Sequence, residues 1–223
     1  MSFLEIHGLS EFGTGSEYLI VFILTSSILW ITLILVSLKK NHVRKTIRYF
    51  IPMMIAALFL EASAVASGRY IYPGYLVYFS VIGGSVPLII LLGWSTNLFL
   101  FLNIGERIGN TFFKQRILFR ILAISFLAGI FGVCLDLLED PIAHHNHWWI
   151  WTESTTNASF YGVPFTNFLD WFLILFFMAL ATQLINRSSL SENRKLLISI
   201  ISVSYIGAAI FLTHQGIVQL LSL

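Results

Sequence analysis

Residues 117–151 read ILFRILAISFLAGIFGVCLDLLEDPIAHHNHWWIW. From 121 to 135 there is no charged residue, and then two aspartates, a glutamate, three histidines and three tryptophans arrive within sixteen positions. The apolar part suits a helix that crosses a bilayer, which needs about 20 residues. It must be a helix rather than an open strand, because backbone polar groups in lipid have to bond within their own segment. The polar part then falls at, or just inside, a membrane surface.

Working outward, six runs reach spanning length, near 18–38, 48–67, 86–106, 117–138, 164–185 and 196–220. The 223 residues are 57% hydrophobic and 11% charged, against about 25% charged in a soluble domain. The expected architecture is an all-α integral membrane protein, one domain over 1–223 with about six transmembrane helices. The single cysteine, Cys134, excludes an internal disulfide and a cysteine-based metal cluster. The leader MSFLEIHGLSEFGTGSE carries no basic residue, which suits a retained first helix better than a signal peptide.

Twelve of the thirteen basic residues lie in the links between spans one and two, three and four, and five and six. Arg69 is the exception. The positive-inside rule makes that side cytoplasmic, which puts both termini outside a membrane, expected to be a prokaryotic cell membrane. The basic stretches do not alternate with aromatic residues as a nucleic-acid groove does, so the expected partner is the bilayer and no nucleic acid. The sequon Asn157-Ala158-Ser159 has meaning only on a eukaryotic secretory route.

Part of the chain resembles another part. Glu61 is followed at eight to eleven residues by RYIY, and Asp140 at the same distances by WWIW. VPLIILLGW at 86–94 and VPFTNFLDW at 163–171 share Val, Pro, Leu and Trp. This suggests a parallel duplication, spans two and three (about 48–106) with spans four and five (about 117–185), related by a pseudo-twofold along the membrane normal. Pro87 and Pro164 then fall at the starts of returning helices, where a missing N–H costs nothing. Asp140 precedes Pro141, which should end span four there. The duplication would set Glu61 and Asp140 on opposite walls of one cavity.

Carboxyl groups within a membrane mark function by default. Burial favours the proton-bearing form of an acid. Asp136 and Asp140 share a helix face, and like charges that close cannot easily both ionise. A proton held in an aromatic pocket is a candidate general acid. Trp94 and Trp171, paired by the repeat, are candidate pocket walls, with Trp149, Trp151, Tyr70, Tyr72 and Tyr161 nearer the surface. Indole faces stabilise cations in low dielectric, and an aromatic belt is the plainer account of the surface rings. Asn167 can hold a water or a hydroxyl. Asp136, His147, Asp170 and His214 are possible relay groups. The first copy has Val65, Ala66 and Gly68 where the second has His144, His145 and His147, so no metal site is assigned. No phosphate loop, Ser-His-Asp order or acidic diphosphate-metal motif is visible, which points to a neutral lipid as substrate.

The order E…GRYIY…VPLIILLGW, then LEDPIAHHNHWWIW…YGVPFTNFLDW, resembles a carotenoid-biosynthesis membrane family that includes bisanhydrobacterioruberin hydratase and carotenoid 1,2-hydratases. The resemblance covers about 55–175 and rests on Glu61, Tyr70, Tyr72, Pro87, Trp94, Asp140, Pro141, Trp149, Trp151, Gly162, Pro164, Asn167, Phe168 and Trp171. It implies a hydro-lyase that adds water to the terminal double bond of an acyclic carotenoid, with no cofactor. Asp140 or Glu61 would protonate the alkene, with Asn167 and the other acid holding the water. Two further readings stay open: a proton-initiated terpene or carotenoid cyclase or isomerase, and a lipid-binding protein or small proton-coupled transporter.

Overall fold

The computed structural model describes residues 4–6, 16–75, 77–152 and 159–221. Most of the leader and the Asn157-Ala158 part of the sequon lie outside the described residues. Six helices are long and apolar enough to cross a membrane. They are α1 (Ser16–Lys40), α2 (Val43–Ala66), α3 (Leu88–Phe112), α4 (Ile117–His145), α5 (Phe165–Arg187) and α6 (Glu192–Leu221). Each expected span falls on one of them; the largest shift of boundary is the end of span four, which runs to His145 at the end opposite the basic links.

The helices pack around α2, α3, α4 and α5, with α6 against α2 and α5 and α1 along α3. α1 is almost entirely exposed or half-buried, so this helix lines the bundle rather than filling it. In lipid, burying apolar side chains gives little net drive, and close approach through small residues matters more. Gly105 and Gly109 on α3, spaced G-x-x-x-G, meet Ile124 of α4. A methyl on Gly132 of α4 would lie 2.2 Å from Leu175 Cδ1 of α5. Phe50, Met53, Leu98, Leu102, Ile124, Leu175 and Met178 fill the centre.

The expected hairpin loops fold further than the sequence suggested. At the end opposite the basic links, β1 (Leu4–Ile6), β3 (Val77–Val81) and β4 (Gly84–Pro87) form an antiparallel sheet in the order β1-β3-β4. β6 (Ser159–Phe160) pairs with β7 (Val163–Pro164). β2 (Tyr70–Ile71) pairs with β5 (Ile150–Trp151), joining the two hairpins.

The register of that last pair is informative: Tyr70 faces Trp151 and Ile71 faces Ile150. Counted from Glu61 and Asp140, Ile71 and Ile150 are equivalent positions, which is the pairing a local twofold would give. Pro87 and Pro164 cap α3 and α5 with the same backbone angles, φ −63°, ψ 139° and φ −61°, ψ 138°. The helices do not follow the symmetry throughout. α3 packs directly on α4, whereas α6 occupies the place that symmetry would give to an α2–α5 contact.

One expectation is corrected. α4 does not stop at Asp140 but runs through Pro141 to His145. Ala143 is fully buried in a cluster with Trp149, Val163 and Phe168. The Asn146 backbone N–H and side-chain Nδ2 both donate to the Ile142 carbonyl, at 3.0 and 2.7 Å. The bias against helix before proline is a preference, and packing of the last turn overrides it.

Candidate active site

A hollow of about 770 Å³, its open mouth included, lies between α2, α3, α4, α5 and α6 at the stranded end. Glu61, Asp140, Asn167, Asp170 and the rings of Tyr70, Tyr72, Trp94, Trp149, Trp151 and Trp171 all line it. Four sequence candidates do not line it: Asp136 and His214 sit behind the lining residues Asn167 and Asp170, and Tyr161 and His147 lie at the surface. Tyr161 sits at φ 49° in the β6–β7 turn and is 77% exposed. His147, at φ 55° in the turn after α4, is exposed as well. Neither reaches the hollow, because each turn points its tip away from the bundle.

Glu61 is held by three donors. Tyr70 donates its hydroxyl to Oε2, Tyr72 donates to the same oxygen at 2.6 Å, and Trp94 Nε1–H donates to Oε1 at 2.6 Å. An indole N–H can only donate, so Oε1 is an acceptor. The sequence arranges this simply: Tyr70 and Tyr72 straddle one residue on the strand side of the loop, and Trp94 is two turns into the returning helix. Burial, and then the neighbouring Glu61 carboxyl, hold the Tyr70 and Tyr72 phenols well above the usual tyrosine range. Both therefore remain neutral donors.

Asp140 is treated differently by the fold. Asn167 Nδ2 donates to Asp140 Oδ2 at 2.7 Å and to Asp136 Oδ2 at 2.9 Å. One amide supplies two hydrogens, so the two acids share a single neutral donor group. Asp136 is fully buried one turn behind Asp140, and its Oδ1 has no hydrogen-bond partner among the described residues. The positions equivalent to Tyr70, Tyr72 and Trp94 hold Trp149, Trp151 and Trp171, none of which donates to Asp140 among the described residues. Trp151 Nε1 is buried and unbonded there. One backbone plan thus carries two carboxyl environments, one rich in donors and one poor.

A third acid, Asp170, receives Arg69 Nη2 at 3.1 Å and His214 Nδ1 at 2.7 Å on the same oxygen, Oδ2. His214 is 1% exposed, so α6 closes this side of the hollow. The Arg69 guanidinium also lies 6.0 Å from the Trp151 ring centre.

The rings complete the wall. Trp94 and Trp171 stack at 4.3 Å between centroids and 25° between planes. Tyr70 meets Trp151 edge-on at 4.9 Å. Among the described residues, no group of three or more His, Cys, Asp or Glu is arranged to hold a metal ion.

Sequence reasoning missed Arg69, Asn97 and Phe22, which also line the hollow. Arg69 left a signal: it is the lone basic residue at its end of the bundle, where the orientation rule gives it no role. Asn97 and Phe22 are one polar and one apolar residue within long spans, and nothing in the sequence sets them apart.

No curated protein and no solved structure matches the chain. The sequence profile of one family, described as carotenoid biosynthesis protein, matches residues 17–222, nearly the whole length and all six helices. The chain therefore belongs to the carotenoid biosynthesis protein family, as a multi-pass membrane protein of that pathway.

Proposed function

We propose that the protein is a hydro-lyase that adds water to a terminal carbon–carbon double bond of an acyclic carotenoid, with Asp140 as the proton donor. The observation that carries this reading is the contrast between the two carboxyl environments. Glu61, with three donors on its oxygens, is built to accept hydrogen bonds. Asp140, with one amide hydrogen and a second acid behind it, is suited to hold a proton and release it into the hollow.

The reaction follows in two steps. Asp140 transfers its proton to the less substituted carbon of the terminal double bond, and a tertiary cation forms on the more substituted carbon. The faces of Trp94, Trp149 and Trp171 stabilise that cation, an interaction of about 0.5–2 kcal/mol per ring in a dry site. The Glu61 carboxylate adds a negative charge close by. Water then bonds to the cation. Glu61 Oε1, which accepts one donor and has room for a second, takes the proton that the water loses. Return of that proton to Asp140 through solvent resets the site. Asn167 positions the acid, and Arg69 with His214 keeps Asp170 satisfied so that it does not compete for the proton.

The aromatic girdle, the apolar spans and the clustering of acids at one end support a hydrophobic isoprenoid entering from the bilayer. The distribution of basic residues supports placing the hollow towards the outer face, with both termini on that side. The shared register and capping of the two hairpins support an origin by duplication. Expression in a lycopene-producing bacterium tests the reaction class: a pigment heavier by one water supports hydration, and a new pigment of unchanged mass would mean that a ring closes instead.

A further inference from the structure

A second hollow, of about 850 Å³ with its open mouth included, lies beside the first and is walled by α1, α3 and α4. The two share Phe22, Gly93, Asn97 and Glu139. Past that rim the second hollow is mostly apolar, with Leu29, Leu135, Leu138, Ile142 and Trp148 as its main walls. Leu138 and Ile142 are 66% and 52% exposed, so the mouth opens on the flank of the bundle rather than at its end. α1 packs along α3 but scarcely meets α4, which leaves the slot between them unsealed.

We propose that this second hollow receives the trailing hydrocarbon of a long acyclic isoprenoid whose end reacts in the first hollow, and that Gly93 sets the width of the passage between them. The inference rests on the reading of the first hollow as a site for an isoprenoid end.

Length supports it. A pocket of roughly 300–1,000 Å³ encloses a drug-sized ligand, and a polyene of carotenoid length runs on the scale of the bilayer core, about 30 Å. Most of such a chain must leave the first hollow. The Arg69, Asp170 and His214 side is charged and gives hydrocarbon no favourable path. The slot offers an apolar one that is continuous with the membrane.

Gly93 is the second argument. A glycine inside a helix costs about 0.5–1 kcal/mol relative to alanine. Gly105 and Gly109 of the same helix justify that cost by letting α4 approach. A Cβ on Gly93 would meet no atom within 4 Å. What this glycine provides is open space, at the point where the two hollows join and directly before Trp94.

The test uses the full chain in detergent, as wild type, Gly93→Leu and Leu138→Trp. Two readouts are taken: retention of a long acyclic polyene, from its visible absorbance, and the ratio of turnover on that polyene to turnover on a short acyclic isoprenoid with the same end group. Gly93→Leu is expected to lower both by about tenfold, the scale of forcing extra methylenes into occupied space. Leu138→Trp, outside the first hollow, is expected to lower them in the same direction and keeps the test decisive should Gly93→Leu fail to insert. Unchanged retention and an unchanged ratio in the variants would overturn the proposal. If wild type retains the polyene but transforms neither substrate, the reading of the first hollow fails, while retention in the variants still decides on the slot.

Discussion

Trp94 and Trp171 lie face to face, ring centres 4.3 Å apart, and Trp94 also donates its Nε1–H to Glu61 at 2.6 Å. The stack joins α3 to α5 at equivalent points of the two hairpins. It turns two indole faces into one wall and ties that wall to a carboxylate.

This pairing predicts that the two tryptophans are not equivalent. Trp171→Phe keeps an aromatic face and is expected to lower turnover only about threefold, within the range of one cation–π contact. Trp94→Phe also removes a hydrogen bond to a charged group, worth about 1.5–3 kcal/mol, and is expected to cost tenfold or more. Steady-state turnover of the two variants checks this; equal losses would contradict it.

The unequal acids predict unequal phenotypes. Asp140→Asn keeps an oxygen that Asn167 can reach, so the melting temperature in detergent should change little while turnover falls about 10²–10⁴-fold, the usual worth of a positioned acid. Glu61→Gln places an amide among three donors. It is expected to lose activity and also about 1–3 kcal/mol of stability, since one buried donor is left unmet. Thermal unfolding alongside activity separates the two.

The phenols of Tyr70 and Tyr72, held above their ordinary range by burial and by Glu61, predict alkaline sensitivity. Their neutral forms favour the folded state. That contribution is complete below the ordinary tyrosine pKa of about 10, and it is lost as pH rises towards the higher folded values. The melting temperature of wild type should therefore fall above about pH 10, and Tyr70→Phe with Tyr72→Phe should flatten that fall. An identical pH dependence in the double variant would show that these phenols do not contribute.

Arg69 and Asp170 form a buried pair with side chains 7% and 11% exposed. Arg69→Met removes the guanidinium from the buried Asp170 carboxyl, and breaking such a pair costs about 3–5 kcal/mol. Adding Asp170→Asn should restore much of the loss. A double-mutant cycle on thermal stability measures the coupling, and purely additive effects would contradict it.

Gly84 lies against α2 so closely that a Cβ would stand 2.1 Å from the Ala62 carbonyl oxygen, next to Glu61. Gly84→Ala must push β4 off α2, at a cost of about 1–3 kcal/mol. Gly216→Ala, where a Cβ meets nothing within 4 Å, serves as the tolerated comparison. Equal melting temperatures for the two variants would mean that β4 is not held there.

Six spans were legible because lipid imposes one rule on every segment, and composition alone carries it. The starts of α3 and α5 were legible because Val-Pro recurs before each, and both prolines cap a returning helix. What the sequence did not reveal lies where tertiary packing decides. The last turn of α4 persists beyond Pro141 because Ala143 is packed. β2 pairs with β5 across the hairpins, and β6 with β7 within one of them, with only two residues each, too short for any periodicity. Arg69 was visible as an anomaly of charge, but its partner Asp170 lies 101 residues away. His147 stood out because it neighbours acids and tryptophans in sequence, and Tyr161 as one of the aromatic residues near the outer surface; turns at positive φ hold both at the surface.

The central claim, that Asp140 delivers a proton to an alkene carbon before water adds, is tested most directly in heavy water. Wild-type protein given an acyclic carotenoid in D₂O should yield a hydrated product bearing one deuterium on the carbon next to the new alcohol carbon, and Asp140→Asn should yield none of it. A hydrated product without carbon-bound deuterium, or normal labelled product from Asp140→Asn, would contradict the account.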